Sequence, residues 1–454
     1  MALFNVVNLH EIQNRIRIEA EFYRPDYVEC YKTIEQMPHL KLRQNCQKIS
    51  DGTHFTPRYT ESGVKFYSAI NVKENVFAYD GSHKFISAQE HKTIHKRCPV
   101  QAGDILIRKV GVGPRWSCVV PEGLDQFSIF VSVALVRPGN KLLPHYLSTF
   151  INSRYGQLQL LRLNKGISQP DLHLEDIGEL IIPDLGQDIQ QEIAEISLRA
   201  ESIRENSKQL YAQAQQLIES ELGLDKLRFS KTMGYTAQFS ELELSHRLDA
   251  QHYQAHFSQL LNHLTQLPTR KIREIRTCNR RGLQPIYVAD GIYDVVNSQH
   301  LGPKHINYDG LEKTSAKAFI SSLEAHIRPN DLLIYTTGAY IGRTNVYLRD
   351  TPALASNHVN ILRLSPDIDA AYMAMVFQSL IGQFQTQKHA RGSAQAELYP
   401  SDIDKFVVPI LPSDKQQMIG NLVRESLVKQ TESARLLEQA KTRVEQLIEA
   451  AVQA

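Results

Sequence analysis

Side chains able to grip a polyanion gather most densely at Arg270, Lys271, Arg273, Arg276, Arg280 and Arg281, six cations within twelve residues opposed only by Glu274. Such a cluster can neutralise several phosphates of a nucleic-acid backbone. Toward the N-terminus the cations are sparser: Arg58, Lys65, Lys92, Lys96, Arg97, Arg108, Lys109 and Arg115. His54, Tyr59 and Trp116 stand on expected loops beside them, as do Tyr340, Arg343 and Asn345 in the second half. Arginine and asparagine can pair bidentately with guanine and adenine edges. The expected DNA contacts are therefore His54, Arg58, Tyr59, Arg108, Lys109, Arg115, Trp116, Arg270, Lys271, Arg273, Arg280, Arg281, Tyr340, Arg343 and Asn345.

Other chemistries lack their residues. His91 and His95 have helical i, i+4 spacing with Cys98 after them, but Lys92 stands where a zinc protease needs Glu. Gly111-Val112-Gly113 lacks the third glycine of a dinucleotide fingerprint. No phosphate-binding Gly-x4-Gly-Lys-Ser/Thr, no Gly-x-Ser-x-Gly elbow and no Asp/Asn-Pro-Pro-Tyr/Phe tetrapeptide of a DNA aminomethyltransferase occurs. No metal site and no catalysis by this chain are expected. The five cysteines are scattered without a Cys-x-x-Cys and read as reduced thiols of a cytoplasmic protein. The longest apolar run, Ile129 to Val136, is too short to span a bilayer, and the N-terminus lacks the apolar core of a signal peptide. A net charge of +2 confines any nucleic-acid role to local patches.

Two long helices must position these residues. In Asp188 to Leu222, Ile189, Ile193, Ile196, Ala200, Ile203, Ser207, Leu210, Ala214 and Leu217 follow at spacings of four and three. That is a coiled-coil seam lasting about four heptads. In Ser413 to Ala451, Val423, Leu427, Gln430, Ala434, Leu437, Lys441, Val444, Ile448 and Ala451 keep the same rhythm. Asp188 with Gln191 and Ser413 with Gln416 supply capping boxes, and Gly223 an αL stop. Each stripe needs a partner, and the nearest is the other helix.

The chain is also written twice. Arg17-Ile18-Glu19-Ala20-Glu21-Phe22-Tyr23 matches Arg247-Leu248-Asp249-Ala250-Gln251-His252-Tyr253, 230 residues later. Gly103-Asp104-Ile105-Leu106-Ile107 matches Asn330-Asp331-Leu332-Leu333-Ile334 at an offset of 227. Tyr146, Gly156 and Gln157 recur as Tyr372, Gly382 and Gln383, and Pro183 and Gln190-Gln191 as Pro409 and Gln416-Gln417, at 226. Preserved order with slow drift is a domain duplication. The two apolar seams are out of register under this alignment, the second helix carrying only a weaker in-register stripe of Ile419, Leu422, Leu436, Ala440 and Leu447. Asp51-Gly52-Thr53-His54-Phe55-Thr56-Pro57 finds no good counterpart at Arg281-Gly282-Leu283-Gln284-Pro285, and the segments after Gly111 and Gly338 differ. Two readers of one kind with different targets are implied.

The expected fold is α+β: two similar globular domains, 1–183 and 224–410, alternating with helices at 184–223 and 411–454 that pack as an antiparallel coiled coil through Ile189, Ile193, Ile196, Ile203, Leu210, Leu217, Val423, Leu427, Leu437, Val444 and Ile448. Residues 1–40 read as largely helical. Leu42–Ile49, Val64–Ile70, Asp104–Lys109, Phe130–Arg137, Leu180–Ile182, Lys271–Ile275, Ile286–Ala289, Asp331–Thr336 and Val359–Leu364 read as strands, and Pro144–Leu163 and Pro366–Gln387 as helices.

Over nearly its whole length the chain resembles the specificity subunit of Type I restriction–modification systems. The carriers are Ile49-Ser50-Asp51-Gly52-Thr53-His54 with Pro57, Gly103-Asp104-Ile105-Leu106-Ile107, and Gly-x-x-Gln at Gly166/Gln169 and Gly392/Gln395. The resemblance implies two target recognition domains on spacer helices, read out on double-stranded DNA. It implies two methyltransferase subunits docked on that frame, and through them a restriction and translocase subunit. S-adenosylmethionine would sit on the methyltransferase partners, with no cofactor on this chain. Helices of about 50 Å would hold the readers roughly one to one and a half turns of B-DNA apart, at about 34–36 Å per turn. A bipartite, asymmetric target follows. The alternatives are a coiled-coil adaptor with duplicated protein-binding domains, or an independent nuclease or methyltransferase.

Overall fold

The computed structural model describes residues 18–166, 169–229, 234–392 and 395–453. Arg17 and the rest of the expected N-terminal helix before it lie outside the described residues, as do Ile167, Ser168, Ser393 and Ala394 of the two Gly-x-x-Gln turns. The chain forms two compact units, Met1–Arg204 with Thr431–Ala454, and Glu205–Gln430. These divisions fall inside both long helices, Gly186–Glu221 and Ser413–Gln453, not at their ends as the sequence boundaries place them. Each helix contributes one half to the core of each unit, which is why neither half separates from its globular body.

In the first unit a central antiparallel sheet has the order Cys46–Asp51, Val133–Pro138, Ile105–Arg108, Ser117–Val119. Ile105 and Ile107 on one face join Ala134 and Val136 in a core with the helices, while Leu106 on the other joins Val133, Leu135 and Cys118. Burial of both faces explains the unbroken apolar run Ile105-Leu106-Ile107. A second sheet, Phe127–Ile129, Val64–Tyr67, Lys84–Ile86 and Tyr59–Thr60, has its first pair parallel. The second unit repeats the plan. Its central sheet runs Arg276–Arg281, Val359–Leu364, Leu332–Tyr335, Thr344–Val346, and its second sheet pairs Tyr293–Val296 in parallel with Ala353–Ala355.

The duplication extends to individual hydrogen bonds. The Tyr146 hydroxyl donates to Pro183 O (2.6 Å) and Tyr372 to Pro409 O (3.0 Å). The Gln159 amide brackets the backbone of Ile181, and Gln385 that of Val407. Fully buried Asp104 receives Arg137 at 2.7 Å, and fully buried Asp331 receives Arg363 at 2.7 Å.

Several expected elements differ. The helix at Pro144–Leu163 is two, Pro144–Asn152 and Arg154–Leu163, and its counterpart is Ala370–Gln378 and Leu380–His389. At each break a Cβ on Gly156 or Gly382 would lie 2.2 or 2.0 Å from the carbonyl oxygen of Phe150 or Phe377, so glycine permits the fold-back. Lys271–Ile275 is not a strand: Thr269–Lys271 is, and Ile272–Ile275 is a helical turn that buries Ile272 and Ile275 three apart on one side. Ile286–Ala289 is a loop with Ile286 69% exposed, and the strand lies at Tyr293–Val296.

Both long helices form, and within each unit they run antiparallel. The Ser433 hydroxyl donates to Ala200 O (2.6 Å), and Arg443 meets Glu192 at 3.1 Å, in the first. Ser207 meets Ser426, and Glu221 meets Lys415, in the second. The seam needs correction. Of the expected first stripe Ile193, Ala200, Ser207 and Ala214 are buried, whereas Ile189, Ile196, Ile203, Leu210 and Leu217 are half-buried. Buried positions include Ile193, Ser197, Ala200, Ser207, Ala214 and Ile218. On the second helix their equivalents Ile419, Val423, Ser426, Ser433, Ala440 and Val444, each 226 residues on, are buried, as are Gln416, Leu436 and Ile448, while Leu427 and Leu437 are half-buried and Ala434 exposed. The two faces are thus in register after all. Serine is what hid this: Ser197 is buried because its hydroxyl meets that of Thr149 at 3.0 Å, so polarity did not expose it.

Candidate nucleic-acid interface

The strand Cys46–Asp51 ends by delivering Asp51 to the edge of its sheet, and Gly52 lets the chain turn away. A Cβ on Gly52 would stand 2.0 Å from Ile129 O. The loop that leaves carries His54, Phe55 (83% exposed) and Arg58, and leads into Tyr59 (49% exposed) at the start of the strand Tyr59–Thr60. Asp51 itself is buried, and a buried carboxylate requires donors. It has three: Lys109 Nζ at 2.9 Å, Arg97 Nη2 at 2.6 Å and His54 Nε2 at 3.2 Å. Arg97 Nη2 is also 2.9 Å from His54 Nε2. That nitrogen cannot donate to Asp51 and accept from Arg97 at once. Arg97 and His54, both half-exposed, both approach Oδ1 of that carboxylate, which has lone pairs for two donors. Nothing in the sequence pattern joined Arg97 to this loop, because it arrives from the last turn of the helix Ala88–Arg97.

The second unit has the same turn after all. Gly282 follows the strand Arg276–Arg281, and its Cβ would stand 2.1 Å from Ala355 O. Backbone repeats where side chains do not: Arg281 occupies the place of Asp51. Its guanidinium donates to Leu398 O at 3.1 Å, lies 3.6 Å from Glu397 and covers the Tyr399 ring at 4.7 Å. The Tyr399 hydroxyl, and behind it Arg281, hold the Glu397 carboxyl below the usual range. Arg391, paired with Asp402 at 2.7 Å, lies 5.9 Å from the centroid of the same Tyr399 ring.

The cluster from Arg270 to Arg281 does not form one patch. Arg270, Lys271 and Arg273 are exposed at the near end of the strand, and Arg276 is tied to Asp404. Arg280 and Arg281 lie at the far end, about 16 Å along a six-residue strand. Three expected contacts are inside the fold. Arg115 is fully buried, donating to Gly111 O (2.7 Å), Pro170 O (3.0 Å) and Asn164 Oδ1 (2.9 Å), and burial pulls it down to about 10. Lys109 is spent on Asp51, and fully buried Asn345 donates to Gly302 O. None of the three is open to a duplex. Arg108, Trp116 and Arg343 are half-buried and Tyr340 is exposed, all four on the hairpins that follow Ile105–Arg108 and Leu332–Tyr335. His91 uses both ring nitrogens, on Ser128 (2.8 Å) and Gln126 (3.2 Å). Among the described residues no group of three or more potential metal ligands occurs, and no helix is long and apolar enough to cross a membrane.

No family model matches the chain, and no curated protein matches it. Among solved structures it is similar to the S subunit of a Type I restriction–modification system from M. genitalium, with 12% identity over 91% of this chain and 95% of that one and a TM-score of 0.47. The HsdS subunit from Thermoanaerobacter tengcongensis gives 15% identity over 92% and 95%, with a TM-score of 0.27. A chain from a study of complex assembly and conformational transition in the type I R-M system gives 15% over 92% and 96%, with a TM-score of 0.30.

Proposed function

We propose that this chain is the sequence-reading subunit of a Type I restriction–modification complex, without catalytic residues of its own. Each unit would read one part of a bipartite, asymmetric site on double-stranded DNA. The paired helices would receive two methyltransferase subunits, which carry S-adenosylmethionine and the methylating chemistry, and through them the nuclease. The observation that carries this reading is the pair of equivalent turns, Asp51-Gly52 and Arg281-Gly282. One backbone is used twice with opposite charges set at its end; exposed His54, Phe55, Arg58 and Tyr59 follow the first turn, and exposed Tyr287 follows the second. A duplicated scaffold with divergent rims suits recognition of two unlike half-sites. Capture from a pool of randomised duplexes tests it: the expected product is two unlike motifs separated by an unread spacer, held with steeply salt-dependent affinity. A chain that retains no duplex at low salt overturns the proposal.

A second reading has its own observation. Ile286, Ile292, Ile320 and Leu323 in the second unit are 67–70% exposed, an apolar complement suited to a protein partner. Retention of a protein with no retention of DNA would favour an adaptor.

A further inference from the structure

In each unit the third strand of the central sheet turns back into the fourth, and the hairpins close on the same bond. Arg108 N donates to Trp116 O (2.9 Å), and Tyr335 N to Arg343 O (2.8 Å). Arg108 is thereby equivalent to Tyr335, and Trp116 to Arg343. One strand end carries a cation and the other an aromatic, and the units have them exchanged.

The turn in the second unit fixes its side chains tightly. Gly338 and Gly342 are left-handed (φ +108° and +86°), and a Cβ on Gly342 would lie 2.7 Å from the Thr386 side chain. Arg343 N donates back to Tyr340 O (3.1 Å). This fold-back lays the Arg343 guanidinium 3.6 Å from the centroid of the Tyr340 ring, which Tyr335 meets edge-on at 6.4 Å. Stacking fixes the plane of the cation but uses none of its N–H groups. Among the described residues the guanidinium's one hydrogen bond is a 3.5 Å approach to Leu301 O, at the limit of such contacts. Among the described residues no carboxylate lies within ion-pair distance of Arg343, whereas Arg276, Arg281, Arg363 and Arg391 each have one. Arg343 is thus a planar donor fork with its orientation set and its edge unspent, beside a 54% exposed tyrosine.

We propose, resting on the DNA-recognition reading above, that Arg343 is a specificity-determining residue of the second unit, braced by Tyr340 to read the O6/N7 edge of one guanine. A guanidinium donating two parallel bonds fits that edge. A phosphate would also accept the fork, but a phosphate contact carries no sequence information and adds to the salt slope, so selection and salt dependence separate the two.

The test is sequence selection from a randomised duplex pool by the full chain and by Arg343→Ala, Arg343→Lys, Tyr340→Ala and Tyr340→Phe, with the salt dependence of binding measured for each. Arg343→Ala is expected to relax one G·C position by roughly ten- to a hundredfold while every other position and the salt slope stay as they were. Arg343→Lys should do the same, since it keeps charge but loses the fork, and it decides the matter should the alanine variant not fold. Tyr340→Ala should relax that same position and Tyr340→Phe should not. Uniform weakening with a shallower salt slope would mean a phosphate contact and would overturn the assignment, as would an unchanged motif. A wild-type chain that selects no motif overturns the DNA-recognition reading itself, and this one with it.

Discussion

Ser207 and Ser426 exchange hydrogen bonds: the Ser207 hydroxyl donates to Ser426 O at 2.7 Å and the Ser426 hydroxyl to Ser207 O at 2.8 Å. Side chains reaching the opposite backbone require the helices to approach closely, which only small residues allow. Ser207→Leu should force them apart and cost about 1–3 kcal/mol, read as a lower urea midpoint. Ser207→Ala with Ser426→Ala should cost about 1 kcal/mol per lost bond. A leucine variant as stable as wild type would show that the contact is loose.

The paired carboxylates Asp104 and Asp331 predict equal sensitivity in the two units. Each is fully buried against an arginine, and each also accepts a backbone N–H, from Gln101 and Arg328 respectively. Asp104→Asn and Asp331→Asn each leave a guanidinium without its counter-charge, at an expected cost of about 3 kcal/mol. Thermal unfolding of the two variants checks this. A large loss in one and none in the other would mean that the repeat is not energetic.

Acid should unfold the second unit first. Burial, then His252, Lys388 and Lys405, hold the His389 imidazole down to about 3 from its ordinary 6.5, with Asp402 the one opposing charge. The ring stacks on Phe406 at a centroid distance of 5.7 Å. It stays neutral in the folded chain and takes a proton in the unfolded chain once pH falls below 6.5. Its contribution is therefore complete above that pH and is lost as pH falls toward 3. His252, His300 and His305 are lowered by burial as well and act in the same sense. His389→Leu should flatten the pH dependence of the urea midpoint between pH 4 and 6.5, the upper bound being the ordinary imidazole value; an unaltered slope would contradict the assignment.

Arg97 should report a phosphate. Its side chain is 54% exposed and anchored by Asp51 at 2.6 Å, so removing it leaves Lys109 still paired. Under the proposed function Arg97→Ala should weaken all duplexes alike and lower the slope of log affinity against log salt by about 0.9. Relaxed sequence preference with an unchanged slope would instead make it a base contact.

The duplication and both helices were legible in the sequence because order, spacing and apolar period survive divergence. What failed shows where period runs out. Ile196 and Leu437 are more apolar than Ser197 and Ser433, yet the serines are buried, since neighbouring carbonyls and hydroxyls satisfy them. Arg115 looked like a surface cation, and only the fold supplies the two carbonyls and the amide that take it inside. The pairing of Arg97 with Asp51 spans 46 residues and comes from a helix end that no motif marks. Gly52 and Gly282 kept their places while every neighbour changed, so alignment by side chain missed a turn that the backbone preserves.

The inverted charges at Asp51 and Arg281 limit what can be transplanted. Moving Lys109 and the loop past Gly52, but not the strand end, into another copy of this scaffold would leave Lys109 facing whatever residue the host strand carries. Where the host has arginine, two cations would be sealed together without an anion. The smallest segment that can be grafted therefore includes the strand end and its counter-ion, at residues 51, 97 and 109 together.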